Sequence, residues 1–484
     1  MVISFRTVAK LLGPAVLWFG LIAVIPAIYS IFSFASAFPA FSLCALAAMV
    51  IGFMFKRLGR NCQGTPSIRE LFVFTVALWA CTTLLASIPF MLIMDQMSFA
   101  QAVFESASGL STTGATVIEH LDLKPRPILL WRSMLQFLGG IGFVVIAVAV
   151  FPSASMGGMN LFKTESSSFD GRSKITPHVK TMAAGFLIWY MVMLFLCTFF
   201  YLLGGFNFFL ALNAALCTVS TGGMMPIDSS MNAAPPFIQY TAMVFMFLGS
   251  LPFMLILSSV SGNFLNLLRD QQVRGFVYLI MITSLMVAFS LIYADNYTLE
   301  RALRTAFFNV IAIISSTGFN FEDFTEWNNF ASILFFLMLA VGGCSGSTAG
   351  GLKIFRLQIC YSLMKAQFLK VVHPHIVALP RYNGRVIDTD TLYAVITYLA
   401  AYILVTAASA AATTFFDLNI MDAISGTISC LSNIGPAVGI LLTPSTTYAS
   451  FSDPLLLIFS FDMILGRLEI LPVVLCMTRM FWKS

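Results

Sequence analysis

Long and short apolar runs follow one another along this chain in a fixed order. After an opening pair of runs, about residues 8–33 and 39–54, the order long run, short run, turn, long run occurs four times. The first unit predicts a span near 71–94, a short helix from Ser98 and a returning span near 128–151. The second predicts 182–203, 207–219 and 237–265, the third 276–293, 298–315 and 331–360, and the fourth 392–416, 420–431 and 454–481. The long runs reach the roughly 20 apolar residues needed to cross a bilayer's hydrocarbon, whereas short runs of about a dozen fall below it. The expected fold is an all-α polytopic membrane protein with ten full spans and four re-entrant half-spans. The opening run is too long for a cleaved signal peptide, so a retained span is expected.

Each short run ends in a turn rich in Ser, Thr and Gly. The four are FESASGLSTTGATV (104–117), LNAALCTVSTGGM (212–224), FNVIAIISSTGFN (308–320) and ISGTISCLSNIGPA (424–437). Aligned on the turn they put Gly114, Gly222, Gly318 and Gly435 in register, separated by 108, 96 and 117 residues. A repeat of that size is several helices long and is not a solenoid unit. Ser98-x-x-Gln101 predicts a capping box at the start of the first short helix. Amphipathic helices lying on the outer surface are the alternative, but these turns must leave the helix inside protein. Irregular backbone at membrane depth is tolerated only where it is buried or lines a cavity. Four such turns meeting on an axis would let carbonyl oxygens replace a cation's hydration shell, with four helix C-termini adding partial negative charge. Glycine supplies the backbone freedom that such a turn needs.

Composition agrees with the medium: 59% of residues are hydrophobic and 10% charged, against roughly 25% charged in a soluble domain. The nine cysteines are scattered with no CxxC pair, and read as small buried hydrophobes, not disulfides or metal ligands. The net charge of +5 matters less than its distribution. Lys353, Arg356, Lys365, Lys370, Arg381 and Arg385 lie in a stretch with no acidic residue, which places it in the cytoplasm together with the loop from Lys56 to Arg69. Asp295, Glu300, Glu322, Asp323 and Glu326 of the third unit and Glu105, Glu119 and Asp122 of the first are expected to face outward. Most read as solvated surface; an acidic mouth that concentrates cations is the functional alternative.

A second anchor repeats inside the returning runs: FLGG at 137–140, FLGS at 247–250, AVGG at 340–343 and ILGR at 464–467. The first glycine of each follows its turn glycine by 24 to 31 residues, about mid-membrane. The third anchor is enlarged to GGCSGSTAGG, Gly342 to Gly351, with five glycines in ten residues. Gly342, Gly346 and Gly350 at intervals of four fit a helix with a GxxxG packing face. Glycine costs a helix about 1 kcal/mol each relative to alanine, so an intramembrane loop beneath the four turns is the preferred expectation. Arg467 sits mid-run near Asp462 and Glu469. Two readings stay open: a buried salt bridge to one of those acids, or a positive charge beside a permeation path that pairs with the loop's carbonyls.

The four TG-type turns, the GGCSGSTAGGLK stretch and the GRLEI segment together resemble the Trk/Ktr/HKT superfamily of potassium transporters, in particular the bacterial TrkH-type membrane subunit, over essentially the whole chain. The resemblance implies a single-chain pore with pseudo-fourfold symmetry, built from four helix, pore-helix, helix repeats. These would be residues 67–178, 179–273, 274–386 and 387–484, after an N-terminal helix pair at 1–66. It implies a K+ filter formed by Thr112, Thr113, Gly114, Ser220, Thr221, Gly222, Ser316, Thr317, Gly318, Asn433, Ile434 and Gly435. The family's gating loop matches Gly342, Gly343, Gly346, Ser347, Gly350, Gly351 and Lys353, and its pore arginine matches Arg467. Also implied are a homodimer, a bacterial inner-membrane location with both termini cytoplasmic, and a cytosolic TrkA-type ring that binds nucleotides. The basic segments after Lys353 and near Lys163 to Lys180 are its candidate docking surfaces. The transported ion would be K+, with no covalently bound cofactor and no nucleic-acid partner. Ile434, Pro436 and Met224 make the turns unequal, so potassium preference with rubidium passage and moderate rejection of sodium is expected.

A secondary transporter that couples an ion gradient to solute movement also has broken helices and midplane glycines. Its repeats would run in opposite senses, whereas these four units would enter the membrane the same way. An enzyme is disfavoured: there is no HExxH, and His120, His178, His373 and His375 show no metal-ligand spacing.

Overall fold

The computed structural model describes residues 3–60, 62, 66–149, 175–259 and 264–483. Among the described residues the fold is helical apart from a hairpin of two two-residue strands that pairs Arg381 with Val386 and Tyr382 with Arg385. Among the described residues six helices are long and apolar enough to cross a membrane. They are the N-terminal pair, Phe5–Ser33 and Ala35–Leu58, and the outgoing run of each unit: Ile68–Ile93, Ala183–Leu203, Gln271–Asp295 and Thr389–Thr414.

The four short helices form where the pattern places them, at Phe99–Leu110, Phe208–Val219, Leu299–Ile314 and Ile420–Ser432. Their starts are written in the sequence. Ser98 and Gln101 form the expected reciprocal capping box, and Asn207 and Asn419 accept from the backbone N–H three residues on. Most residues of each short helix are buried.

The returning runs, of which only the third was expected to be interrupted, are built differently. The first is one helix over its described length, Arg126–Ala149; the end of the expected span, at Phe151, lies outside the described residues. The second stops at Gly249 and resumes at Phe253, because Pro252 has no N–H to donate back and biases Leu251 away from helix. The third ends at Met338 and helix resumes only at Ile354. The fourth stops at Arg467 and resumes at Leu471, with Glu469 and Ile470 at φ of 61° and 52° and Pro472 just beyond. A β-branched residue at positive φ is a genuine outlier held by its surroundings. Two further breaks thus join the one expected at the glycine-rich stretch.

That stretch is not a helix with a GxxxG face. Gly342, Gly346 and Gly351 have φ of 73°, 74° and 80°, which no helix accommodates. Its backbone groups meet those freed by the second break instead: Cys344 N–H donates to Ser250 O (3.1 Å), Thr348 N–H to Gly249 O (3.2 Å) and Phe253 N–H to Gly346 O (3.0 Å). Two breaks at membrane depth thereby satisfy each other, as a water-poor medium requires.

The repeated anchor glycines have a packing cause. A Cβ on Gly139 would lie 1.7 Å from Leu110 O, and one on Gly466 1.9 Å from Leu431 O. Each returning helix therefore crosses its short helix's last turn at backbone contact. Gly139→Val and Gly466→Val are each expected to push these helices apart at a cost of about 1–3 kcal/mol or more. Gly142→Ala, with nothing within 4 Å of the added carbon, should be neutral. Thermal unfolding of the purified protein in detergent, with Gly142→Ala as reference, measures both.

Candidate filter and the loop beneath it

Each short helix ends in the same way. The N–H groups of Thr113, Gly222, Thr317 and Ile434 donate to the carbonyls of Ser108, Cys217, Ala312 and Ser429, at 2.9, 2.8, 2.9 and 3.0 Å. The residues before them, Thr112, Thr221, Ser316 and Asn433, have φ of 58°, 52°, 54° and 54°. This is the Schellman termination, with a left-handed residue closing the helix and a long bond reaching back to its last turn. Glycine usually takes the left-handed position; here it is taken by Thr, Thr, Ser and Asn. Gly114, Gly223, Gly318 and Gly435 follow at φ of 90°, 78°, 69° and 94°.

This geometry corrects the second unit by one residue. Gly223, not Gly222, is the structural equivalent of Gly114, Gly318 and Gly435, and Gly222 stands where the first and third units have threonine. Ser220, expected among the filter residues, is the helix C-cap, as Ser111 and Ser315 are in the first and third units. Aligning on TG misplaced this turn because VSTGG offers two glycines. The shared signal was the serine two residues before the penultimate position: LSTTG, VSTGG, ISSTG and LSNIG all carry it.

The four turns close on one another. A Cβ on Gly114 would lie 2.4 Å from Gly222 O, one on Gly223 2.0 Å from Thr317 O, one on Gly318 1.9 Å from Ile434 O, and one on Gly435 2.6 Å from Thr113 O. Every left-handed glycine therefore touches the carbonyl just before the glycine of the next turn, and the fourth contact returns to the first. The same contact four times in sequence requires turns related by rotation and entering in one sense. Four backbone carbonyls, from Thr113, Gly222, Thr317 and Ile434, thus form a single ring.

Side chains around the ring differ from turn to turn. Ser111 and Ser315 share hydrogen bonds with Thr113 and Thr317 at 2.6 and 2.7 Å. Asn433 Nδ2 donates to Met463 O (2.8 Å) and to Thr113 Oγ1 (3.1 Å), tying the fourth turn to the first. Gln136, from the first returning helix, donates to Gly222 O (2.5 Å) and accepts from Met224 N–H (3.0 Å).

One turn earlier on that helix Arg132 and Glu105 form a buried ion pair at 2.6 Å. Glu105 was expected to face outward; it is 0% exposed. Its carboxylate accepts from Thr116 Oγ1 and from Val117 N–H (3.0 Å each), while Arg132 donates to Met225 O (3.2 Å). The pair holds the chain leaving the first turn and the chain leaving the second. Neither Arg132 nor Gln136 was singled out from the sequence. An arginine and a glutamine four residues apart within an apolar run were the available signal.

The other acids expected to face outward mostly organise the loops above the ring. Glu322 pairs with Arg301 (2.8 Å) and Glu300 with Arg304 (2.8 Å), and Asp295 accepts from Asn328 Nδ2 (3.0 Å). Burial pushes the Asp323 carboxyl up, but hydrogen bonds from Ser445 and Thr325 outweigh it and leave it below the usual carboxylate range. A cleft of about 510 Å³ opens among Tyr297, Arg301, Glu322, Asp323 and Glu326.

The glycine-rich segment lies directly under the turns. Gly350 N–H donates to Ser316 Oγ (2.6 Å), and Thr221 Oγ1 donates to Thr348 Oγ1 (3.1 Å). A Cβ on Gly350 would lie 2.2 Å from Ser432 O. The segment thus contacts the second, third and fourth turns at once. Arg467 is buried and donates to Thr348 O (2.8 Å) and Gly139 O (3.1 Å). The salt bridge to Asp462 or Glu469 left open by the sequence is not formed: Asp462 accepts from Ser409 and Glu469 pairs with Arg356. Lys353 donates to Ala349 O within the same segment. Gln272 Oε1 accepts from Ser345 N–H (2.8 Å). The middle of the segment is therefore held by side chains from the third outgoing helix, through Ser345, and the fourth returning one, through Thr348. Of the two basic segments read as docking surfaces, most of 163–180 lies outside the described residues. The other forms the helix Ile354–Val372 and the hairpin.

Comparison with known proteins agrees with this architecture. The family of the cation transport protein TrkH matches residues 45–484. The chain is 34% identical to the Trk system potassium uptake protein TrkI of Halomonas elongata, over 86% of this chain and 84% of that one. It is 28% identical to the Trk system potassium uptake protein TrkH of Escherichia coli K12, over 99% of this chain and 100% of that one. The crystal structure of the potassium transporter TrkH from Vibrio parahaemolyticus superposes with a TM-score of 0.90 at 25% identity, covering 99% of this chain and 100% of that one.

Breaking a buried ion pair by removing one partner typically costs about 3–5 kcal/mol, because a charge is left buried alone. Arg132→Met is therefore expected to lower the unfolding temperature sharply or to abolish recovery of folded protein. The double variant Glu105→Gln/Arg132→Met should recover part of that loss, since it buries no unpaired charge. Thermostability by size-exclusion chromatography in detergent checks the order of the two.

Proposed function

The chain belongs to the TrkH family of cation transport proteins, and from that premise we propose that it takes up potassium across the bacterial inner membrane through the ring of four turns. The observation that carries this is the closed cycle of glycine-to-carbonyl contacts. Carbonyl oxygens fixed by helix terminations behind them can stand in for the water around a dehydrated cation. They bear no charged side chain, so the ion is held by dipoles weak enough to let it leave.

The proposed filter comprises Thr112, Thr113, Gly114, Thr221, Gly222, Gly223, Ser316, Thr317, Gly318, Asn433, Ile434 and Gly435. Its four units correspond to residues 67–178, 179–273, 274–386 and 387–484, arranged around the pore with the helix pair 1–66 outside them. Potassium is the ion named for the related TrkI and TrkH proteins. Turns related by rotation weigh against a secondary transporter with inverted repeats.

Gly342 to Lys353 would act as the gate and Arg467 as its clasp. A guanidinium held against the segment's carbonyls keeps that backbone under the ring and sets a positive charge where a cation would leave. Opening would require the segment to part from Arg467, Ser316 and Thr221 together. The helix Ile354–Val372 leads directly from it towards the cytoplasm. A cytosolic TrkA-type nucleotide-binding ring seated on that basic face of a homodimer would have a short path to the gate. Both termini would lie in the cytoplasm.

The test is uptake of rubidium-86 into proteoliposomes under a potassium gradient, competed by potassium or sodium. Gly114→Ser, Gly223→Ser and Gly318→Ser should each reduce discrimination against sodium by about tenfold or more, the equivalent of about 1.4 kcal/mol. Unchanged uptake and selectivity in all three folded variants would reject the ring as the permeation path. Deleting residues 343–350 should raise basal flux; flux equal to wild type in a folded deletion would remove the gate from this segment.

A further inference from the structure

The second turn is the one whose ring carbonyl is not backed by its own side chain. In the first and third turns the ring carbonyl belongs to a threonine, and the threonine's hydroxyl is held by the serine two residues before it. Gly222 has no side chain, and the space where one would stand is occupied by Gln136: a Cβ on Gly222 would lie 2.4 Å from Gln136 Cδ. Gln136 is 0% exposed, and both ends of its amide are used. Nε2 donates to Gly222 O and Oε1 accepts from Met224 N–H. With Arg132 on Met225 O one helical turn away, a single face of the first returning helix holds the second turn from Gly222 to Met225.

We propose that Gln136 is a specificity-determining residue of the filter, which fixes one of the four ring carbonyls from outside its own repeat. The inference rests on the ring being the filter. A carbonyl oxygen that accepts a hydrogen bond from a neutral amide shares its electron density between that donor and the ion. Its position is also fixed by a group that cannot follow the ion. The second quarter of the ring is then a weaker and more rigid ligand than the first and third. Discrimination between ions of different size depends on how far the carbonyls can close in, so this amide sets part of the selectivity.

The reciprocal fit of Gly222 and Gln136 supplies the test. Gln136→Ala removes the amide; Gln136→Glu keeps its size and its acceptor for Met224 N–H but loses the donor to Gly222 O. Gly222→Thr alone would collide with Gln136, whereas Gly222→Thr with Gln136→Ala rebuilds the second turn as STTG, the first turn's own sequence, beside Ser220. In rubidium-86 uptake competed by sodium or potassium, Gln136→Ala and Gln136→Glu should each change the ratio of the two inhibition constants about threefold to tenfold, what one hydrogen bond is worth. Maximal uptake should change less than that ratio. Gly222→Thr should lose uptake, and the double variant should regain both uptake and most of the selectivity. A selectivity ratio equal to wild type in folded Gln136→Ala and Gln136→Glu would overturn the proposal, as would a double variant no better than Gly222→Thr. Failure of both single Gln136 variants to fold would assign the residue to assembly alone and overturn it too. Gly318→Ser, run alongside, separates the two levels. If it also leaves selectivity unchanged the filter reading fails; if it alters selectivity while the Gln136 variants do not, only the role of Gln136 is lost.

Discussion

The structure depends on one contact made four times: the α-carbon of a left-handed glycine against the carbonyl oxygen before the glycine of the next turn. No side chain fits it without displacing that carbonyl, because the first carbon of any side chain would fall 1.9 to 2.6 Å from that oxygen. Nor can the turns separate to make room. Each is the C-terminus of a buried helix whose last turn is itself in backbone contact with an anchor glycine in at least the first and fourth units. Close approach is thus enforced at two successive levels, helix against helix and turn against turn, and the carbonyl ring is what remains at the centre.

Backbone that leaves the helix at membrane depth must still find partners, and this protein meets the requirement by pairing irregular segments with one another. The break at Ser250 to Pro252 exchanges hydrogen bonds with the glycine-rich segment. That segment gives a further carbonyl to Arg467, which ends the helix before the break in the fourth returning run. Arg356, just past the segment, pairs with Glu469 inside the break in the fourth returning run and lies 3.7 Å from the centre of the Tyr398 ring. Side chains at the breaks are shared between repeats. Movement of one break therefore disturbs the satisfaction of the other two.

The four turns are equivalent in backbone and unequal in side chains. Threonine hydroxyls back the first and third, a glutamine from a neighbouring repeat backs the second, and isoleucine stands in the fourth. A chain that supplies all four quarters itself is free to vary them separately. The buried pair of Glu105 and Arg132 shows the same freedom, bracing the first two turns together.

Much of this was legible in the sequence. Apolar run length marked the six long helices, Ser98 with Gln101 and Asn207 marked short-helix starts, and repeated Ser-Thr-Gly turns marked the four turns of the carbonyl ring, because these depend on spacing and local hydrogen bonding. Glycine density announced the non-helical segment under it. Pro252 and Pro472 stood in the sequence as marks of two further breaks, hidden by the apolar character of their surroundings, which says only that a segment is buried. The sequence by itself determined the medium, the repeat and the presence of glycine at every turn. Only the tertiary structure decided which glycine of the second turn is left-handed, that Glu105 is buried, and that Arg467 donates to Thr348 O and Gly139 O while Asp462 and Glu469 take other partners. Those outcomes depend on which groups from distant repeats arrive at the same place, and no local pattern encodes that distance.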